Sequence, residues 1–336
     1  MDKKILLITG NKGFIGMNFI EYLNGDGKYL LDNYDGVAMI DACQLKSEDG
    51  MSWWVEAKAP FLDSDKFIVD ISSDINTLFF TDHLKKIEDK FGKATYTILN
   101  FASKSHVDES ISNPFGLYVD NAVMLPNLIH GIGIENIEKF YHIRTDEEYG
   151  HLTSVDAEPF KVWDKLNPRN PYAASKASQT VFLQSLQHTF GLDVSFFVLA
   201  NQFGKYQHYS KMIPASIKRV FDNEPIKVYG TGENYREWTF VEDTVKEIGN
   251  SIISGVRTGG VCHISNPKSV ISNNELIELL TKEIAKYGFK PEIEYIEDRK
   301  GHDFCYKLKP SINTDNFKSV EEGLEETVKY YLGIWK

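Results

Sequence analysis

The chain has 336 residues, 42% hydrophobic and 25% charged, the make-up of a globular protein with one large core and room for a smaller domain. No run approaches the roughly 18 to 20 apolar residues of a membrane helix, the apolar stretch after Met1-Asp2-Lys3-Lys4 is too short for a secretion signal, and Cys43, Cys262 and Cys305 are too few and too scattered for a disulfide framework or a zinc site. The net charge of −11, from 37 basic and 48 acidic residues, argues against nucleic-acid and anionic-membrane partners but not against a small anionic ligand in a locally basic pocket. A reducing compartment, the cytoplasm, is expected.

Short apolar runs alternate with helical patterns over the first two hundred residues, which predicts a parallel sheet covered by helices. The runs are Ile5 to Thr9, Val37 to Ile40 stopping at Asp41, Phe67 to Val69 stopping at Asp70, Tyr96 to Leu99, Phe140 to Ile143, and Val194 to Leu199. A first helix follows Gly10, with Ile15, Phe19, Ile20 and Leu23 on one face. Asn113-Pro114 opens a helix between the fourth and fifth strands, and Pro126 inside it should kink or shorten it. The fold class expected is α/β, a doubly wound parallel Rossmann sheet over residues 1–200. A smaller C-terminal α/β domain spans mainly 201–336, with a segment near 240–265 returning to the first domain. Ser272-Asn273 caps a helix of the second domain, and Asp298 to Asp303 is a polar loop before the last helix.

The first strand ends in Thr9-Gly10-Asn11-Lys12-Gly13-Phe14-Ile15-Gly16, a G-x-x-G-x-x-G turn opening a helix. Glycines there let the backbone turn sharply, approach a pyrophosphate and pack helix on strand, with the phosphates at the positive helix N-terminus. Asp41, ending the second strand, is placed to accept both hydroxyls of an adenosine ribose and to repel a 2′-phosphate, which favours NAD over NADP. Asp70 and Ile71 flank the adenine on this reading; the other reading of Asp70 is a helix cap.

Further on, Tyr172 and Lys176 lie four residues apart on one helical face. A cation beside a phenol stabilises the phenolate, so Tyr172 can act as base toward a sugar or alcohol hydroxyl, with Thr145 as a second hydroxyl on the same oxygen. Glycine turn, acidic partner, Thr, Tyr and Lys in this order resemble an extended short-chain dehydrogenase/reductase, nearly end to end. Within that superfamily the chain most resembles nucleotide-sugar 4,6-dehydratases of the dTDP-glucose 4,6-dehydratase type. The resemblance is carried by Gly10 to Gly16, Ser105-His106-Val107-Asp108, Thr145-Asp146-Glu147, Tyr172 to Lys176, Arg236-Glu237-Trp238 and Asp298 to Asp303.

That resemblance implies NAD as cofactor, bound by Gly10, Gly13, Phe14, Ile15, Gly16, Asp41, Asp70, Ile71, Ala102, Tyr172 and Lys176. It implies Asp146 as the acid that protonates the departing C6 hydroxyl and Glu147 as the base that takes the C5 proton. Adjacent strand residues point to opposite faces, so this pair must sit past a strand end, in a turn. Asp146 must also hold its proton near neutral pH, through burial and a neighbouring carboxylate. Ser105, His106, Asn201, Lys211, Arg236, Arg299 and His302 are implied on the nucleotide-sugar side, no metal is implied, and related enzymes are homodimers.

Lys104, Arg144, Lys205 and Phe304-Cys305 depart from the pattern of the resembled group and leave the substrate open between UDP- and dTDP-sugars, glucose and N-acetylglucosamine, with or without inversion at C5. The alternatives are a nucleotide-sugar 4-epimerase, which would not need the carboxylate pair, and a non-catalytic NAD-binding regulator.

Overall fold

The computed structural model describes residues 2–42, 60–77, 80–256, 260–298 and 300–335. The chain falls into two compact units. The first comprises Met1–Arg144, Asn170–Phe197 and Ile248–Val261, and the second Thr145–Arg169, Val198–Glu247 and Cys262–Lys336.

In the first unit, β1 (Lys3–Thr9) is buried over its last five residues, so its apolar run has helices over both faces rather than an alternating pattern. α1 (Phe14–Asn24) follows at once. Then come β2 (Gly36–Asp41), β3 (Phe67–Ser72), α2 (Phe80–Phe91), β4 (Ala94–Asn100), α3 (Val107–Ser112), α4 (Pro114–Ile132), β5 (Ile137–Thr145), α5 (Pro171–Phe190) and β6 (Val194–Leu199). The later elements are β7 (Asn201–Phe203), α6 (Met212–Phe221), β8 (Ile226–Tyr229), β9 (Tyr235–Phe240), α7 (Val241–Ser254), β10 (Val261–Ile264), β11 (Val270–Ser272), α8 (Asn273–Ala285), β12 (Ile293–Ile296) and α9 (Val320–Trp335).

The central sheet is parallel and seven-stranded, in the order β10-β6-β5-β4-β1-β2-β3. Strand order therefore reverses between β1 and β4, and the carboxyl ends of those two strands border the crevice where doubly wound sheets bind ligands. Thr9 pairs with Asn100, and Asn100 with His142, so the ends of β1 and β4 and the neighbouring residue of β5 form one row of polar residues. Ile5, Leu7, Ile98, Leu125, Leu128, Phe140 and Leu183 are among the buried residues that pack the helices of this unit on the sheet.

The second unit has its own core, with Ile213, Ile217, Trp238, Phe240, Leu276, Leu280 and Tyr331 in it. A three-stranded β11-β9-β7 sheet and a two-stranded β12-β8 sheet frame that core. Ser272 caps α8 through a full capping box with Glu275, as its sequence predicts.

Two local expectations need correction in part or in full. Pro126 does not shorten α4, which runs on to Ile132; the ring removes one backbone donor, and the burial of Met124, Leu125, Leu128 and Ile129 on either side outweighs that loss. The third strand does not stop at Asp70 but continues to Ser72, so Asp70 is a strand residue and not a helix cap.

Candidate active site

The glycine turn of the first unit is a tight cradle. Gly10 has φ +72°, and a Cβ there would lie 2.5 Å from the Ala102 nitrogen; a Cβ on Gly16 would lie 2.1 Å from the Gly10 carbonyl oxygen. Both positions are closed to any side chain, which brings the N-terminus of α1 hard against the ends of β1 and β4. Phe14 and Ile15 open the helix and are half-buried. Asp41 ends β2 and accepts the Lys12 N–H through Oδ2 at 2.8 Å, while Lys12 Nζ lies 3.5 Å from Asp70 Oδ2. Ile71 beside it is buried in the core. A bare helix N-terminus with a carboxylate at the end of the next strand suits a dinucleotide, whose phosphates take the helix end and whose ribose takes the carboxylate. Ala102 lies against the turn, its N–H 3.5 Å from the Thr9 hydroxyl.

Tyr172 and Lys176 stand one turn apart on α5, whose start is fixed by Pro171 and by the Asn170 side chain accepting from the Ala173 N–H at 2.8 Å. Tyr172 is half-buried and Lys176 buried. Lys176 Nζ lies 3.5 Å from Nε2 of His142, a wholly buried residue of β5. Burial, with the positive charges of Lys176 and Arg144 nearby, holds the His142 imidazole well below its usual range, so it is neutral. Between the two α5 residues, Ser175 Oγ receives a 2.9 Å bond from Asn121 Nδ2, and Asn121 also holds both backbone groups of Lys104. Ser105 is exposed and His106 takes the N-cap position of α3.

The second unit holds the acidic pair. β5 ends at Thr145, and Asp146 and Glu147 open a single 3-10 turn, Asp146–Tyr149, as the two-face argument requires. Thr145 Oγ1 donates to Asp146 Oδ1 at 3.2 Å and accepts the Glu147 N–H at 3.4 Å. The turn is pinned from behind by Tyr149, whose hydroxyl lies 2.8 Å from His263 Nε2. Asp146 is buried, and burial first, then the charges of Glu147 and Glu237, raise its carboxyl well above the usual range. Glu237 on β9 is wholly buried as well, and burial pushes it up to about 7. Among the described residues, Asp146 Oδ2 and Glu237 Oε1 are buried oxygens without a hydrogen-bond partner. Such an oxygen is costly unless it carries a proton or meets a ligand.

Arg236 is buried beside this pair. Its guanidinium donates to the carbonyls of Tyr235 at 2.7 Å, Asp303 at 3.0 Å and Phe304 at 3.2 Å, and lies 4.6 Å over the Tyr306 ring. Asp303 is itself held by Arg169 at 2.7 Å and by the Tyr306 hydroxyl. Arg236 thus fastens the Asp303–Phe304 stretch to β9. His302 Nδ1 lies 2.7 Å from Asp298 Oδ1, Asn201 opens β7 opposite Trp238, and Lys211 takes the N-cap position of α6. Arg299 lies outside the described residues. Of the departures from the resembled pattern, Lys104 pairs with Asp120 and Lys205 with Glu242, while Arg144 and Cys305 are buried. No group of metal-ligating side chains occurs among the described residues.

His142 and Asn100 were not singled out by sequence reasoning, and Glu237 was quoted only as part of the Arg236-Glu237-Trp238 motif. For His142 the available signal was a polar residue inside the apolar end of its strand run.

Comparison with known proteins gives the family. Residues 6–248 match the family described as "NAD dependent epimerase/dehydratase family". The low-salt glycan biosynthesis protein Agl12 of Haloferax volcanii is 33% identical over 98% of both chains. The dTDP-glucose 4,6-dehydratase of Haemophilus influenzae is 29% identical over 97% of both. Among solved structures, DesIV, a dTDP-glucose 4,6-dehydratase from Streptomyces venezuelae with NAD bound, superposes with a TM-score of 0.79 at 28% identity, over 98% of this chain and 97% of its own. With a match over most of its length and a cradle to fit the cofactor, the chain belongs to the NAD dependent epimerase/dehydratase family.

Proposed function

We propose that the protein is a nucleoside-diphosphate-hexose 4,6-dehydratase that turns a dTDP- or UDP-linked glucose or N-acetylglucosamine into its 4-keto-6-deoxy form. The observation that carries this reading is Asp146, a buried carboxyl whose burial raises it well above the usual carboxylate range, with Glu147 next to it on one 3-10 turn. An enzyme that only oxidises or inverts C4 has no use for an acid and a base together. Dehydration needs both, one on each side of the C5–C6 bond.

Tyr172, as phenolate beside Lys176, takes the proton of the C4 hydroxyl. NAD, held by the glycine turn and Asp41, would supply a hydride acceptor for C4 and a donor for C6, so it would be unchanged overall. The C4 ketone acidifies C5; Glu147 removes that proton, and Asp146 gives its own to the C6 hydroxyl, which leaves as water. Glu147 then returns a proton to C5, and delivery to the opposite face would give the C5-inverted product. Arg236 and Lys211 supply positive charge for the diphosphate, with Asn201, Ser105, His106, His302 and Arg299 as further contacts. Deoxysugar biosynthesis is the setting that such a product fits.

The family description covers epimerases too, so 4-epimerisation is the competing reaction. The test is a panel of dTDP- and UDP-hexoses with product mass spectrometry. Wild type should yield a product lighter by one water, and Glu147→Gln should lose at least about 100-fold in turnover while reduced cofactor accumulates. Inversion at C4 without loss of water would favour the epimerase; full turnover by the variant would remove Glu147 from the reaction.

We also infer a homodimer. Phe115 (84% exposed), Tyr118, Val119 and Val123 (37%) line one side of α4, and Val181 (52%) lies on α5, which packs against it. An apolar stripe of this kind on a −11 chain suits a second copy.

A further inference from the structure

Asp146 is held only loosely at its own end of the turn. Its Oδ1 accepts the Thr145 hydroxyl at 3.2 Å, Thr145 takes the Glu147 N–H at 3.4 Å, and both bonds are long. Among the described residues, Asp146 Oδ2 has no hydrogen-bond partner. The heading of this carboxyl therefore depends on how the Asp146–Tyr149 turn is rotated about its axis. In a 3-10 turn, residues three apart lie on one edge, and the residue in between stands about a third of a turn away. Asp146 shares its edge with Tyr149, and Glu147 does not. Whatever holds Tyr149 fixes the heading of Asp146.

Tyr149 is held firmly, by a closed ring of contacts within the second unit. Its hydroxyl lies 2.8 Å from His263 Nε2, and its ring stacks on Phe160 with 5.4 Å between centroids. Lys309 joins those two partners through its backbone: its carbonyl lies 3.1 Å from His263 Nδ1, and its N–H donates to the Phe160 carbonyl at 2.8 Å. Ser311 fixes the His263 backbone, its hydroxyl accepting the His263 N–H and its own N–H donating to the His263 carbonyl, each at 3.0 Å. A carbonyl can only accept, so Nδ1 carries the ring proton. In the neutral ring Nε2 is then the acceptor and the Tyr149 hydroxyl the donor. Tyr149 and His263 are both buried. Apolar side chains would fill that space with no polar pair to desolvate, so the pair supplies direction rather than packing.

We propose that Tyr149 and His263 are positioning residues whose hydrogen bond sets the heading of Asp146, so that its proton meets the departing C6 hydroxyl. The inference deepens the dehydratase reading and rests on it. In the step served, Glu147 takes the C5 proton and the freed electron pair forms the C5–C6 double bond. The C6–O bond breaks with its pair on oxygen, which takes the Asp146 proton and leaves as water.

Tyr149→Phe removes the hydroxyl and keeps the ring. His263→Asn keeps an N–H near Nδ1 but offers Tyr149 no acceptor, whereas His263→Gln places an oxygen near Nε2. With dTDP-glucose or UDP-glucose, whichever the wild type dehydrates, Tyr149→Phe and His263→Asn should slow single-turnover water loss about tenfold while reduced cofactor builds up. His263→Gln should recover most of the rate. The same sugar with fluoride at C6, whose leaving group needs no proton, should react at nearly the wild-type rate in all three. A merely structural pair would lower the melting temperature or the active fraction, slow both sugars alike and leave no reduced cofactor. That outcome overturns the proposal, as does a full rate of water loss in Tyr149→Phe, which decides alone should His263→Asn fail to fold. Nitrogen-15 NMR should find His263 protonated at Nδ1, and a proton on Nε2 instead overturns the proposal. Failure of the dehydratase reading shows separately, as a wild type that removes water from neither sugar. The infrared band of the Asp146 carboxyl, taken with carbon-13 aspartate as the difference from Asp146→Asn, then reads the heading without substrate. It should shift or broaden in Tyr149→Phe; an unchanged band overturns the proposal.

Discussion

Glu237 and Asp146 put two buried carboxyls into the second unit, and they differ in what surrounds them. Glu237 accepts the Leu308 N–H at 2.8 Å, yet burial still pushes it from 4.5 up to about 7. The unfolded chain releases that proton near its ordinary value and the folded chain only near 7. Stability attributable to this group is therefore complete below about 4.5, falls as pH rises to about 7, and stays reduced above it by about 3 kcal/mol. Glu237→Gln keeps the acceptor oxygen and removes the charge. It should raise the melting temperature by a few degrees at pH 8 and hardly at all at pH 5, measured by calorimetry. An equal gain at both pH values would mean that ionisation of Glu237 is not its source. Asp146 was legible in the sequence because it sits in a short motif with Thr145 and Glu147. Glu237 also stood in a quoted motif, but the depth of burial that gives it its character depends on Leu308 and the Cys305–Leu308 segment, some seventy residues away in the chain.

At the level of elements, the glycine turn was the most readable part, because its constraint is local. A Cβ on Gly16 would stand 2.1 Å from the Gly10 oxygen, and one on Gly13 3.2 Å from the same atom. Gly16→Ala must push α1 away from β1, whereas Gly13→Ala needs an adjustment of a few tenths of an ångström. Calorimetric titration with NAD should show at least a tenfold loss of affinity for Gly16→Ala and a smaller one for Gly13→Ala. Equal affinities would separate the cradle from cofactor binding. The shortening expected from Pro126 did not occur for the opposite reason: proline's effect on a helix is local, and α4 is held by side chains that come from elsewhere in the first unit. Asp70 shows the same limit, since a strand's end depends on its neighbour, and β2 pairs with β3 as far as Ser72.

For the whole molecule, the −11 charge argues against large polyanions more readily than it describes the site. The acidic pair and the arginine beside it are packed inside the second unit, where net charge says little about local potential. The stripe on α4 is a property of the whole chain as well. Phe115→Glu combined with Val119→Glu should give a species of one chain's mass by sedimentation, with wild type at twice that mass. A wild type that sediments as a single chain at micromolar concentration would refute the dimer. The sequence could show only that α4 is apolar on more than one side; which of those residues meet the core, as Leu117, Leu125 and Leu128 do, and which do not became visible with the packing.

Neither unit is one stretch of chain: each is assembled from three, and the polypeptide crosses from one to the other at five points. On a ribosome this has a definite consequence. The first unit lacks its last piece, Ile248–Val261, until most of the protein has been made, and β10 cannot join the sheet before then. Its central strands pair early, but completion waits for late synthesis, with an unpaired β6 edge in the meantime. Nascent chains halted before residue 248 should therefore be more easily digested by protease than the finished protein. No single cut of the gene would release either unit to fold alone.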